Sequence, residues 1–229
     1  CPMTRLLCLE NTVGGCIQDQ DHIDTLVDCA KSHGLATHMD GARLINAAVA
    51  QNLPPARLVQ SIDTVSLCLS KGLGVPLGSV LVGPSLVIER ARRLRKMLGG
   101  GMRQAGIIAA AGRYALQHNV ERLAQDHKRT QKLATALEGL QGLHFDRARV
   151  QTNMLFLQSP QMPDLANYLA QRGIAITAIG ENSRIVLHMQ IDDAALQQIT
   201  EAIQGFFTTS NLLQYVKQVY TKGSTYQPS

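Results

Sequence analysis

The chain has no tryptophan, and aromatic residues make up only 4% of its 229 positions. None of them is interleaved with the main basic run, so the stacking platform of a nucleic-acid binder is missing. The net charge of +5 suits an anionic small molecule equally well, and no nucleic-acid partner is expected. Long apolar runs are also missing: nothing approaches the roughly 18 residues a membrane span needs, so neither a transmembrane segment nor a membrane partner is expected. The five cysteines, Cys1, Cys8, Cys16, Cys29 and Cys68, are odd in number and form no CxxC pair. That usage points to reduced thiols in an intracellular, cytoplasmic setting. No signal-peptide or transit composition opens the chain, and its first residue is cysteine, so it is expected to begin inside a longer parent sequence.

What is present is ordinary for a globular protein: 45% apolar and 17% charged residues, enough to bury a substantial core. Over the first hundred residues, short β-forming runs alternate with longer helical patterns, which predicts an α/β fold with a mostly parallel sheet. Strands are expected at 6–11, 35–40, 64–70 and 79–82. Helices are expected at 19–33, closed by Gly34, at 42–51 before Pro54-Pro55, and at 84–98, 103–118 and 120–140. After Gly142 the texture changes. Strands at 153–158, 174–178 and 185–189, with helices at 164–172 and 192–207, predict a small C-terminal α+β domain. The expected division is therefore 1–140 for the large domain with its bridging helices, 141–209 for the small one, and 210–229 for a polar tail with at most a helical turn.

Two residues carry the chemistry of the first domain. Lys71 follows the apolar run 64–70 and precedes Gly72-Leu73-Gly74, so an amine is offered at the rim of a buried strand. Asp40 ends the strand 35–40 and precedes Gly41-Ala42-Arg43. Parallel α/β sheets bind ligands at the carboxyl ends of their strands, which places both side chains on one crevice. An amine that can hold an aldehyde and a carboxylate that can keep a pyridine nitrogen protonated are the requirements of a pyridoxal phosphate site. The plainer alternative makes Asp40 a helix cap and Lys71 a solvated loop residue. Arg43 stands near the first turn of the helix after Asp40, facing either the same ligand or solvent. His38 shares a strand face with Asp40 and either orients it or is a satisfied interior histidine. No third ligand lies at metal-site spacing, so no metal is expected. The cationic cluster Arg90, Arg92, Arg93, Arg95 and Lys96, followed by Gly99-Gly100-Gly101 and Arg103, is either a solvated helix face or a phosphate contact. Arg184, at the start of an expected strand, suits either a bidentate carboxylate contact or a salt bridge.

Several strings resemble one family: LCLEN at 7–11, HMDGAR at 38–43, LSKGLG at 69–74, RKMLGGGMRQAG at 95–106 and TNMLF at 152–156. They are similar to the low-specificity threonine aldolases, fold-type I pyridoxal phosphate enzymes, over roughly residues 5–207. The resemblance implies a large-domain fold of that type and cleavage of L-threonine or L-allo-threonine to glycine and acetaldehyde, in threonine catabolism and glycine formation. It gives Lys71 the role of the cofactor-binding lysine and Asp40 that of the partner of the pyridine nitrogen. Arg43 would lie near the phenolic oxygen, and Lys96 and Arg103 would reach toward the cofactor region. Arg184 would bind the substrate carboxylate, and the assembly would be a homodimer or homotetramer. The family's glycine-threonine phosphate cup and its ring-stacking histidine would precede Cys1 in a longer chain. A catalytically inert relative that acts as an oligomerisation or interaction module is the alternative.

Overall fold

The computed structural model describes residues 3–223, and of 210–223 the backbone alone. The chain divides into two compact units, Cys1–Lys128 with Gln151–Asn153, and Arg129–Val150 with Met154–Ser229. The first contains a four-stranded sheet in the order β1 (Leu6–Glu10), β2 (Ala36–Asp40), β3 (Thr64–Cys68) and β4 (Ser79–Val82). Strands β1 to β3 run parallel and β4 pairs antiparallel with β3. Glu10 is in register with Asp40, and Asp40 with Ser66. The carboxyl ends of β1 and β2 therefore lie level, and β3 runs on past them to Cys68.

Helices α1 (Gln20–Ser32), α2 (Leu44–Gln51) and α3 (Pro55–Leu58) cover one face of this sheet. Helix α1 starts where Asp19 accepts a hydrogen bond from the His22 backbone N–H at 2.8 Å, which satisfies one of the donors a helix start leaves open. It ends before Gly34, whose φ of +70° suits a residue without a Cβ. Its residues Ile23, Val27 and Ala30, at helical spacing, are buried and pack with Met39, Leu44, Ala47, Leu58 and Val65 into one core. On the other face Leu6, Cys8 and Ala36 are exposed, although parallel sheets are ordinarily covered on both sides. Helix α3, not expected from the sequence, begins at Pro55. Proline fits a first helical turn because its missing N–H has no partner there anyway, so Pro55 starts this turn. Helix α2 is ended not by the proline pair but earlier, by Asn52 in a left-handed conformation with φ of +53°.

Three further helices follow: α4 (Ser85–Met97), α5 (Gly106–His118) and α6 (Leu123–Leu137). Helix α4 buries none of its residues, and Leu86, Met97, Leu98 and Ile107 are among the most exposed apolar side chains. The boundary between the two units falls within α6, after Lys128.

The second unit has a three-stranded antiparallel sheet in the order β5 (Met154–Gln158), β7 (Asn182–Val186) and β6 (Ala178–Ile179). Helices α7 (Met162–Ala170) and α8 (Asp193–Gly223) complete it. Leu155, Leu157 and Ile185 from the sheet, Leu165 and Leu169 from α7, and Ile203 and Phe207 from α8 form its core. The fold class is as expected, α/β with a mostly parallel sheet and a smaller α+β part, but several element boundaries differ. The strand expected at 64–70 stops at Cys68. The helices expected at 103–118, 120–140 and 164–172 span Gly106–His118, Leu123–Leu137 and Met162–Ala170. Three elements of the second unit depart further. The strand expected at 174–178 shrinks to Ala178–Ile179, because Ile174 and Ile176 pack against the core without joining a ladder. The strand expected at 185–189 begins three residues earlier, because its register is set by β5, with Leu155 opposite Ile185 and Gln158 opposite Asn182. The helix expected to stop at 207 continues through Gly223. Leu212, Leu213 and Val216 keep a helical spacing, and no glycine or proline intervenes from 206 to 222. Residues 224–229 of the expected tail lie outside the described residues.

Candidate functional site

The site is built where β2 and β3 end. Asp40 is the last residue of β2 and is exposed. Its Oδ1 accepts from the Ala42 backbone N–H at 2.9 Å, a short turn that holds the carboxylate at the head of α2. The capping alternative is thus partly realised, although α2 itself starts at Leu44, behind Arg43. Among the described residues Oδ2 of Asp40 has no partner. The turn is fastened to the next strand by Gly41, whose N–H donates to the Ser66 carbonyl at 2.8 Å. A Cβ at position 41 would stand 2.8 Å from that same oxygen and 3.1 Å from Val65 Cγ1. Only glycine lets the chain after Asp40 lie this close to β3.

Lys71 lies three residues beyond β3, on the neighbouring strand end, and is exposed. Its amine has no hydrogen bond or ion pair among the described residues. The loop that presents it is not slack. Leu69, Leu73 and Val75 are buried in a cluster with Ile45, Ala115 and Leu123, and the Gly74 N–H donates to the Lys71 carbonyl at 2.9 Å. Asp40 and Lys71 therefore share one sheet edge on adjacent parallel strands. Each precedes a glycine at which an added Cβ would come within 3 Å of a neighbouring atom.

Arg43 belongs to the same edge, as the residue before α2. His38 is half-buried, and its Nδ1 lies 2.8 Å from the Thr64 hydroxyl across the β2–β3 pair. The fit to an interior histidine tied to its neighbour strand is direct. Lys96 and Arg103 lie elsewhere, at the end of α4 and just beyond the glycine triplet. No hydrogen bond or ion pair joins either to Asp40 or Lys71 among the described residues. The Lys96 side chain lies over Gly101, where a Cβ would be 2.6 Å from its Nζ. Arg184 belongs to the second unit, exposed on β7 opposite Phe156, with no ion pair among the described residues. That unit holds a cavity of about 420 Å³ lined by His144, Asp146, Arg149, Phe156 and Asn182 among others, and none of the sequence-predicted site residues lines it.

Two polar residues were not singled out from the sequence. Asn46 on α2 and His127 on α6 are both buried, and Asn46 Nδ2 lies 3.1 Å from His127 Nε2. The His127 pKa is pushed down to about 4 by burial, so the ring is neutral near pH 7 and Nε2 accepts the amide hydrogen. Positions 46 and 127 are separated by 81 residues, and no local pattern links them. Only the placement of Asn46 on an otherwise apolar helix stretch, Leu44-Ile45-Asn46-Ala47-Ala48, hints at a buried partner.

The carboxyl edge of this α/β sheet thus presents a carboxylate at the end of β2 and an amine in the loop after its parallel neighbour β3, each followed by glycine. Residues 1–160 match the model of the beta-eliminating lyases, and the chain belongs to that family. It is 42% identical over 215 residues to the probable low-specificity L-threonine aldolase 2 of Arabidopsis thaliana, covering 90% of this chain and 61% of that one. It is 40% identical over 205 residues to the low specificity L-threonine aldolase of Escherichia coli strain K12, covering 89% and 60%. The threonine aldolase structure from Leishmania major superposes with a TM-score of 0.75 at 19% identity, over 89% of this chain and 61% of that one. The chain thus spans about three fifths of the length of these curated relatives.

Proposed function

We propose that this chain carries the lysine-bearing portion of a pyridoxal phosphate-dependent aldehyde-lyase that splits L-threonine or L-allo-threonine into glycine and acetaldehyde. The observation that carries this reading is the shared edge of Asp40 and Lys71, each with a charged atom left free by the protein. The donor set fits the cofactor: an amine for its aldehyde and a carboxylate for its ring nitrogen. Bound pyridoxal phosphate supplies an electron sink for a bond broken next to an amino acid's nitrogen.

The residues divide the remaining work. Lys71 would hold the cofactor's aldehyde end. Asp40 would hold the ring nitrogen, with its carboxylate oriented by the Ala42 N–H on Oδ1, so the charge is offered by a fixed turn rather than a free side chain. Arg43 is assigned to the phenolic oxygen, and Lys96 and Arg103 to the cofactor's anionic end. Arg184 is assigned to the substrate's α-carboxylate, for which a guanidinium offers two parallel donors. In this reading residues 1–140 are the larger, cofactor-directed domain and 141–209 the smaller one. The working state is a homodimer or homotetramer in the cytoplasm, acting in threonine catabolism and glycine formation, with no nucleic-acid or membrane partner. No helix among the described residues is long and apolar enough to cross a membrane.

The test is an absorbance scan of the purified chain with added pyridoxal phosphate. A visible band that disappears in Lys71→Ala supports the assignment, and a band unchanged by that substitution removes Lys71 from the site.

The exposed apolar residues of α4 and the open face of the sheet favour a second reading, in which the chain is catalytically inert and joins or displaces subunits of an intact relative. Size-exclusion of the chain mixed with such a relative separates the two. A mixed species without lyase activity favours the second, and no mixed species counts against it.

A further inference from the structure

The loop that presents Lys71 rests on a polar floor that the proposed chemistry does not use. Gly72, the next residue, sits against α2 and α6: a Cβ there would stand 3.2 Å from Asn46 Oδ1 and 2.9 Å from Leu123 Cδ2. Asn46 is 3% exposed, and its amide nitrogen is held by His127 Nε2 at 3.1 Å. With the nitrogen donating to the ring, the Asn46 oxygen is the atom turned toward Gly72. Around this point the loop is closed by backbone bonds from Gly74 N to Lys71 O at 2.9 Å and from Val75 N to Leu69 O at 3.1 Å. Its far side is held by Asn119 at the end of α5, whose Nδ2 donates to the Leu73 carbonyl at 2.8 Å.

A pair of buried polar side chains is an unusual filling for the space between two helices, because each member must satisfy the other to offset its desolvation. An apolar pair would fill the same space without that requirement, but it would define position less sharply. Apolar contacts are non-directional, whereas the amide–imidazole bond fixes both rotamers. Once Asn46 is fixed, the surface met by Gly72 is fixed, and so is the start of the side chain one residue earlier.

We propose that Asn46 and His127 are positioning residues for Lys71: locked to each other, they form the floor on which Gly72 rests and thereby set where the amine is presented. The inference rests on the reading of Lys71 as the cofactor-binding lysine, and it adds two residues that touch neither substrate nor cofactor.

The test has one readout that needs no cofactor and one that does. In the full chain, His127→Leu is expected to raise amide hydrogen exchange at Gly74 and Val75 at least tenfold while Met39 and Val65, in the neighbouring sheet, keep their protection. His127→Gln, which restores an acceptor for the Asn46 amide, is expected to return both amides to within threefold of the parent. Gly72→Ala, made on the opposite side of the contact, is expected to repeat the His127→Leu pattern. With added pyridoxal phosphate, the concentration needed to half-develop the lysine-dependent band is expected to rise about tenfold in His127→Leu and to recover in His127→Gln. Equal loss of protection at Met39 and Val65 would mean general destabilisation and overturn the proposal, as would unchanged exchange at Gly74 and Val75. If Lys71→Ala keeps the band while His127→Leu still loosens the two amides, the loop bracing stands and the cofactor role of Lys71 falls. If the band needs Lys71 but ignores His127→Leu, the positioning role falls alone.

Discussion

Gly41 donates its N–H to the carbonyl oxygen of Ser66 at 2.8 Å, and a Cβ at position 41 would meet that same oxygen at 2.8 Å. One short contact thus sets the separation between the turn that carries Asp40 and the strand that leads to Lys71. The contacting atom belongs to backbone and has little freedom to retreat. Gly41→Ala is expected to cost about 1–3 kcal/mol, the usual penalty for overfilling a packed site. The check is a lowered urea midpoint with an unchanged slope, together with a weakened pyridoxal phosphate band.

Asp40 has two separable duties, and two substitutions tell them apart. Asp40→Asn keeps a carbonyl oxygen for the Ala42 N–H but removes the negative charge, so stability should stay within about 0.5 kcal/mol while threonine cleavage by an active assembly falls steeply. Asp40→Ala removes both and should cost about 1 kcal/mol in addition, the ordinary value of such a turn bond. Denaturant midpoints and lyase assays on the same pair give the comparison. An Asn variant with parental activity would reduce Asp40 to a cap.

His127 makes part of the stability pH-dependent. Burial pushes its pKa down to about 4 from an ordinary 6.5, so between those values the unfolded chain binds a proton that the folded chain does not. Stability is therefore complete above pH 6.5 and is lost as pH falls toward 4. From pH 7 to pH 5 the loss is expected to be about 2 kcal/mol. Urea midpoints at pH 7, 6 and 5 measure it, and His127→Gln should flatten that slope because glutamine does not titrate. An equally steep slope in His127→Gln would assign the effect to other groups.

The apolar residues along and after α4 should govern association. Met97 and Leu98 are 79% and 87% exposed, so replacing either by glutamate removes no internal packing, and stability should shift by no more than about 0.5 kcal/mol. The same changes should lower the average mass seen by sedimentation if these side chains are covered in an assembly. A mass profile unmoved by Met97→Glu and Leu98→Glu together would exclude this surface.

Much of the first unit was legible because its signals are local. The helical spacing of Ile23, Leu26, Val27 and Ala30 predicts α1, Gly34 predicts its end, and the β-forming run 79–82 is β4 to the residue. Placing Asp40 at a strand end needed only the alternation of apolar runs with Gly-rich turns, whereas Lys71, expected at the end of a strand over 64–70, lies in the loop after a strand that stops at Cys68. The misread parts depend on partners far along the chain. Strand β7 starts at Asn182 because β5 offers ladder positions down to Gln158, and a polar Asn-Ser start does not announce a strand. Residues 174–178 have strand-like composition, but most of them meet no neighbouring strand.

The order of residues by itself determined where chain direction changes, which side chains stand at the turns, and that glycine follows both Asp40 and Lys71. These follow from backbone sterics and hydrophobic period, which act over a few residues. Tertiary structure alone decided that Gly41 lies on Ser66, that Gly72 lies on Asn46, and that Asn46 is held by a histidine 81 residues away. Such contacts arise from the packing of helices onto a sheet, and the short-range pattern that builds each element carries no record of which distant side chain will meet it.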